Sequence, residues 1–120
     1  MTPASPVLDW TRDGAGIAFQ SCSACGHHWY FRRDFCPRCG SGSPADRQAT
    51  GLGTVHAATL VTRAPSEELR VHAPYLIVLV DADEGFRLMA HGVPQLRIGA
   101  RVRCRFVSFG GRLIPFFDPA

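Results

Sequence analysis

The stretch "CSACGHHWYFRRDFCPRCG", residues 22–40, contains two Cys-x-x-Cys-Gly turns. Cys22 and Cys25 form the first pair, Cys36 and Cys39 form the second, and ten residues lie between the pairs. The glycine after each pair accepts the positive φ with which the chain leaves such a turn. Two turns of this kind facing each other place four thiolates in a tetrahedral arrangement, which selects zinc or, less often, iron. The spacing therefore predicts a metal site made of four cysteines.

Two other uses of these cysteines fit the sequence less well. Disulfides suit a secreted chain, but the start "MTPASPVLDWTRDG" lacks the basic and apolar regions of a signal peptide. A redox dithiol needs one pair in a βαβ setting, and two pairs are present. Because four thiolates close the coordination shell, His27 and His28 are not expected to be ligands, and the ion is expected to be structural. One structural zinc per chain is the resulting prediction.

The composition of the 120 residues limits the classes of protein to consider. The length suits one domain, or a small module joined to a larger one. Four thiolates around a dication would lower the net charge of +3 to +1, which weakens any general argument for a polyanion partner. No apolar run approaches the roughly 18 residues of a membrane span. Thiols kept for a metal indicate a cytoplasmic protein.

The regions on either side of the cysteine turns predict a helix and a linker. Ser5 as N-cap, Pro6 at the first helical position and Gly14 as a stop predict a helix of about two turns. Residues 41–51, "SGSPADRQATG", are rich in small, turn-forming residues and are predicted to be a linker. The corresponding domains are residues 1–45, with the helix and ribbon, and residues 46–120.

Beyond the linker, the pattern changes to strands without a long helical segment. Residues 74–85 are a continuous apolar run that ends in an acidic turn, and residues 86–93 follow as the hairpin partner. Five short strands of this length fit a small barrel, best the five-stranded OB fold. The fold class is therefore mainly β. The strands are predicted in "GTVHAATLVTR", "PYLIVLVDADEG", "FRLMAHGV", "RIGARVRCRFVSFGG" and "RLIPFF".

The fourth of these strands alternates strictly. Val102, Cys104 and Phe106 share one face, which predicts that Cys104 is a core residue rather than a nucleophile. The opposite face is either solvated or holds phosphates, of a nucleic acid or of a nucleotide-bearing cofactor such as coenzyme A. The candidate phosphate contacts are Arg101, Arg103 and Arg105.

The stretch "YLIVLV", residues 75–80, is apolar on both faces, whereas a strand of an isolated barrel needs only one apolar face. The N-terminal helix, the ribbon or another protein is therefore expected to cover its outer side. The ribbon contributes Trp29, Tyr30 and Phe31, of which at least one should face outward. With the adjacent aromatics of "IPFF", residues 114–117, this favours a protein-binding module.

Four segments in this order carry a family resemblance: "FQSCSACGHHWYFRRDFCPRCGS", "GLGTVHAATLVTRAP", "PYLIVLVDADEGFRLMAHGV" and "RIGARVRCRF". They resemble the zinc-ribbon and OB-fold family once called domain of unknown function 35. The resemblance implies an N-terminal helical segment, a rubredoxin-like zinc ribbon and a C-terminal OB barrel. It also implies that the four ribbon cysteines are the zinc ligands. His56 and His91 depart from the usual residues of that family.

Members of that family accompany thiolase-like enzymes, and some are fused or bound to acyl-CoA hydratases and aldolases. The resemblance therefore implies a non-catalytic accessory or scaffold subunit of such an enzyme, with its arginines near coenzyme A. A nucleic-acid-binding OB protein and an independent acyl-CoA-binding protein are the alternatives. The sequence contains no nucleophile elbow, phosphate loop or His-Glu-x-x-His helix. The acids of "DADEG", residues 81–85, are expected to be solvated turn residues, and His56, His72 and His91 are scattered.

Overall fold

The computed structural model describes residues 7–63, 66–70 and 73–120. A three-stranded ribbon sheet precedes a closed five-stranded barrel. A one-turn helix, α1 (Glu67–Arg70), lies between the first two barrel strands. Among the described residues, no helix is long and apolar enough to cross a membrane. The strands are β1 (Ala18–Ser21), β2 (His28–Trp29), β3 (Ala45–Gln48), β4 (Leu52–Val61), β5 (Tyr75–Ala82), β6 (Arg87–Gly92), β7 (Arg101–Phe109) and β8 (Arg112–Pro119).

The N-terminal segment is less helical than predicted. Ser5 and Pro6 lie outside the described residues, and the segment that follows forms only a 3₁₀ helix at Trp10–Arg12. Asp9 is its N-cap, because its carboxylate accepts a backbone N–H of the first turn at 2.9 Å. Asp13, with φ of 65°, ends it. The helix therefore begins after Asp9, and the prediction of two full turns is not met in the part that is described.

The predicted linker at residues 41–51 is wrong, because it contains β3. This strand pairs antiparallel with β1, from Ala18 opposite Gln48 to Ser21 opposite Ala45. All four of its residues are exposed, so no alternation of apolar and polar residues marks it in the sequence. The edge of β1 provides its backbone partners, giving the sheet order β2-β1-β3. The division between residues 1–45 and 46–120 stays a prediction.

The five barrel strands are confirmed. They close in the order β4-β5-β6-β8-β7. All neighbours are antiparallel except β6 and β8, which pair in parallel through His91 opposite Phe116 and Gly92 opposite Phe117. A β-bulge in β4 lies between Val55 and Ala57, which places His56 outside the regular register. The bulge turns the His56 side chain to the surface, beside Asp81 of β5.

The ribbon and the barrel share one apolar core. Ile17 and Phe19, at the start of the ribbon, are buried in the same cluster as the barrel interior. The Phe19 ring stacks on Phe86 with centroids 4.9 Å apart, and Tyr30 stacks on the same ring at 5.6 Å. Trp10 donates from Nε1 to the hydroxyl of Tyr30 at 2.7 Å. The aromatic stack thus fixes the N-terminal segment, the ribbon and the β5–β6 hairpin to one another.

Candidate metal centre and barrel surface

The two cysteine turns have the same backbone geometry. The N–H of Gly26 donates to the carbonyl of Cys22, and the N–H of Gly40 donates to the carbonyl of Cys36, both at 2.9 Å. Gly26 and Gly40 have φ of 75° and 79°, as the Cys-x-x-Cys-Gly pattern predicts. A Cβ atom would meet nothing within 4 Å at either position, so the backbone conformation alone favours glycine.

The turns bring all four sulfur atoms together. The Sγ atoms of Cys22 and Cys39 are 3.5 Å apart, those of Cys25 and Cys36 are 3.6 Å apart, and all four lie within 4.8 Å of one another. Cys22 and Cys36 are buried with Trp29 in a small apolar cluster, whereas Cys25 and Cys39 are exposed. In the part of the chain that the structure describes, this is the one group of three or more such side chains that could hold an ion.

Backbone N–H groups favour thiolates at this site. The N–H of Cys25 lowers the pKa of Cys22 to about 6. Burial opposes ionisation of Cys36, but the N–H groups of Cys39 and Arg38, each 3.4 Å from its sulfur, lower its pKa. The N–H of Ser41 also lowers the pKa of Cys39. The hydrogen bond between Cys39 and Cys22, together with burial, outweighs this effect and raises the pKa of Cys39 to about 12. Because zinc binds cysteine as the thiolate, a bound dication would displace the proton of any ligand that is still a thiol.

The two histidines beside the first turn have other contacts. The ring of His27 stacks on Trp29 at 5.7 Å. Nδ1 of His28 lies 2.5 Å from the backbone carbonyl oxygen of Glu84 in the β5–β6 hairpin. Neither belongs to the group of clustered sulfurs. His28 therefore links the ribbon to the barrel.

The acidic hairpin "DADEG", residues 81–85, is not simply solvated, which corrects the sequence interpretation. Asp81 pairs with Arg87 at 2.6 Å, and Asp83 binds Arg101. The carboxylate of Glu84 accepts the backbone N–H of Thr50 at 2.8 Å, and its other oxygen is buried without a partner. The contacts of Asp83 and Glu84 join residues 18 and 34 positions apart in the chain, so local pattern gives no signal for them.

Two of the three candidate phosphate-binding arginines are engaged in ion pairs. Arg101 binds both carboxylate oxygens of Asp83, at 2.7 and 2.8 Å, and lowers the pKa of that carboxyl. Arg105 pairs with Asp118 at 2.5 Å and lies over the Phe116 ring at 4.6 Å. Arg103 is exposed and forms no ion pair with any other described residue. All three face outward, as the alternation predicts, and their contact with phosphate stays a prediction.

Cys104 is half-buried and packs against the barrel core. Its Sγ lies 3.3 Å from the carbonyl oxygen of Arg105. Burial raises the pKa of the Cys104 thiol to about 11. This position and this pKa fit the prediction that it is a packing residue.

The outward-facing residues of "YLIVLV" are only partly covered. Leu76, Val78 and Val80 are buried in the barrel, whereas Tyr75, Ile77 and Leu79 are half-buried on its outer side. The ribbon aromatics behave as predicted, since Trp29 is buried and Phe31 is 77% exposed. Of the scattered histidines, His91 stacks on Tyr75 and His56 lies beside Asp81, while His72 lies outside the described residues.

Family models match both parts of the chain. Residues 17–45 match the model described as the ChsH2 rubredoxin-like zinc ribbon domain, and residues 46–107 match the ChsH2 C-terminal OB-fold domain. Two curated relatives are DUF35 domain-containing scaffold proteins, from Methanothermobacter thermautotrophicus and Methanocaldococcus jannaschii. Each is 29% identical over 68 residues, which is 56% of this chain. The chain spans about half the length of these relatives, 50% and 48% respectively.

Two solved structures share the fold of this chain. One, described as Ltp2-ChsH2(DUF35) aldolase, is 26% identical over 98% of both chains, with a TM-score of 0.75. The other is a DUF35-family protein of unknown function from Sulfolobus solfataricus, with 17% identity and a TM-score of 0.60. The match covers 91% of this chain and 79% of the Sulfolobus chain, and it is evidence for the fold alone.

Proposed function

This chain belongs to the ChsH2 family of rubredoxin-like zinc-ribbon and OB-fold proteins, and on that premise we propose that it is a non-catalytic scaffold subunit. Its partner is a thiolase-like enzyme or an acyl-CoA hydratase or aldolase. The observation that carries the proposal is the likeness, over 98% of both chains, to a chain described as part of an Ltp2-ChsH2(DUF35) aldolase. The scaffold proteins among the curated relatives support the same role.

The metal of this subunit is one structural zinc, held by Cys22, Cys25, Cys36 and Cys39. The clustered sulfurs and the N–H groups that favour their thiolates support this assignment. A zinc ion held here would have four thiolate ligands, and such a closed shell would leave no position for substrate. Its chemical contribution is to hold the two turns together. The chain's own residues then support the ribbon: Trp29 covers the buried sulfurs, and His28 joins the ribbon to the barrel.

Co-expression with a candidate enzyme subunit tests the proposed role. We expect this chain and a thiolase-like or acyl-CoA hydratase or aldolase subunit to elute together as a stable complex on gel filtration. The enzyme subunit expressed alone should be less soluble or less active, because its apolar docking surface would be left in water. Adding the purified chain should restore turnover.

A control variant tests whether this chain contributes a nucleophile to the reaction. Cys104→Ser removes the one cysteine thiol outside the ribbon, and it should support the partner's stability and turnover as the original chain does. The proposal fails if the chain elutes alone as a monomer and leaves the partner's stability and turnover unchanged.

A further inference from the structure

The outer face of β5 and β6 is apolar although it lies at the surface of the barrel. We define this docking face by Tyr75, Ile77 and Leu79 of β5 and by Met89 and His91 of β6. Ile77 lies opposite His91, and Leu79 lies opposite Met89, so these side chains form adjoining rows across the two strands. Met89 is 62% exposed. A contiguous apolar patch of this kind on a small domain marks an interaction site more often than a lone exposed residue does.

Other described residues cover the docking face only in part, because Tyr75, Ile77 and Leu79 are half-buried and Met89 is exposed. Trp10 of the N-terminal segment reaches a groove at one edge, where Ile77, Met89 and Ile114 are its neighbours. The ribbon contacts the barrel elsewhere, through Phe86. Of the three covers that the sequence suggests, the ribbon and the described part of the N-terminal segment, from residue 7 onward, leave the face partly uncovered, and we take another protein as its partner.

Two grooves meet at His91 and Phe109 and give the docking face its shape. The groove beside Met89 has a volume of about 130 Å³, and its neighbour, which includes Pro94 and Phe116, has a volume of about 320 Å³. The His91 ring stacks on Tyr75 at 4.9 Å, and Phe109 packs edge-on against His91 at 4.4 Å. Rings held by one another in this way form preformed recesses for bulky side chains, as at the centres of protein interfaces.

The charges around the docking face select a protein rather than a polyanion. At the end of the face, Asp81 binds Arg87, and His56 lies 3.6 Å from the same carboxylate. Farther round the barrel, Asp83 binds Arg101 and Asp118 binds Arg105. Phosphates would have to compete with these carboxylates for each guanidinium, whereas an apolar centre within a rim of balanced charges is typical of a protein interface.

We propose that the docking face receives the enzyme subunit, which inserts bulky apolar side chains into the two grooves beside His91 and Phe109. This inference rests on the proposed scaffold function and adds where the contact lies. The ion pair of Asp81 with Arg87, at the end of the face, stays intact in the complex. The partner surface that matches it has an apolar centre surrounded by groups of both charges.

Protection of Met89 from oxidation tests the inference without any substitution. The chain has two methionines, Met1 and Met89, so mass spectrometry after dilute peroxide resolves them. We expect the complex with the co-expressed enzyme subunit to slow Met89 oxidation at least about tenfold relative to the free chain, because an interface core excludes solvent. Equal oxidation rates in the complex and the free chain would overturn the inference.

Matched surface variants provide the second measurement. Met89→Glu should weaken the complex by at least about tenfold in Kd, because it places a charge in an apolar contact. Ile98→Glu and Phe31→Glu change side chains that are 71% and 77% exposed and lie outside the docking face, so they should bind within about twofold of the original chain. Thermal melting of each variant identifies any that fails to fold, and the oxidation experiment then decides.

The outcomes separate the inference from the proposed function. If the original chain forms no complex, both fail. If the complex forms but Phe31→Glu disrupts it and Met89→Glu does not, the scaffold role stands and the docking face is wrong. A free chain that sediments as a dimer, and becomes a monomer with Met89→Glu, would show that the face pairs with a second copy, which also overturns the inference.

Discussion

At the scale of single residues, the cysteine turns lead to the sharpest chemical prediction. Protein purified without chelator should contain one zinc per chain by elemental analysis. Binding of a structural zinc by four thiolates contributes on the order of 10 kcal/mol or more to the apparent folding free energy. Cys36→Ser should remove most of the metal, since it replaces a buried sulfur that two backbone N–H groups already favour as a thiolate. Cys104→Ser should keep it. Metal-free protein, or an unchanged ribbon in Cys36→Ser, would contradict the assignment.

The arginines of β7 lead to the prediction that nucleic acid binds only weakly. Because Arg101 and Arg105 are held by carboxylates, single-stranded DNA should bind weakly and with little salt dependence in a fluorescence polarisation assay. Changing Arg101, Arg103 and Arg105 together to alanine should therefore change little.

A second variant makes the arginine prediction stricter. Replacing Asp83 and Asp118 with alanine releases two guanidinium groups and should increase DNA binding and its salt dependence. Sub-micromolar binding by the original chain that falls steeply with salt, and disappears in the triple alanine variant, would instead establish a nucleic-acid protein.

Residue roles were predictable where neighbours in the sequence create them. The positive φ of Gly26 and the clustering of the sulfurs follow from spacing alone. The bond of Arg101 to Asp83 and the contact of His28 with Glu84 depend on strand register and on how the ribbon sits against the barrel. Neither is encoded within a few residues, so the local sequence predicts solvated turn residues where the structure has bound acids.

At the scale of elements, β4 contains a glycine that the barrel requires. A Cβ atom on Gly53 would lie 2.6 Å from the carbonyl oxygen of Asp81 and 2.6 Å from Val80 Cγ1. Gly53→Ala should therefore destabilise the fold by about 1–3 kcal/mol and lower Tm by several degrees, measured by circular dichroism. Gly42→Ala is the control, because its nearest contact would be an ordinary 3.7 Å from Phe35. Equal Tm values for the two variants would contradict this explanation.

The elements also show where sequence patterns lose their information. The barrel strands were predictable because their interiors need an apolar residue at every second position. β3 is exposed along its length, so its sequence is free of that constraint and resembles a linker. The N-terminal helix fails for a related reason: Asp9 caps a shorter turn that the Ser5 and Gly14 signals do not reveal.

At the scale of the whole molecule, the shared core predicts that the ribbon and the barrel unfold together. Ile17 and Phe19 of the ribbon lie in the barrel's own cluster, and burying a Phe side chain contributes about 1.5–3 kcal/mol. Trp29 reports on the ribbon and Trp10 on the contact of the N-terminal segment with Tyr30 and the barrel, whereas the far-ultraviolet circular dichroism comes mainly from the barrel strands. In denaturant the two signals should therefore change at the same midpoint.

The ring of Phe86 is the contact on which this coupling depends. It lies between Phe19 and Tyr30, at 4.9 and 5.6 Å, and Tyr30 in turn accepts the hydrogen bond of Trp10. Phe86→Ala should lower the fluorescence midpoint more than the circular dichroism midpoint, because the ribbon loses its apolar contact while the barrel keeps its strand pairing. Gly53→Ala should shift both midpoints equally, because it leaves the Phe86 contact in place and the two parts still unfold together. If fluorescence changed first in the original chain, the two parts would be independent domains, and zinc removal would then melt the ribbon and leave the barrel folded.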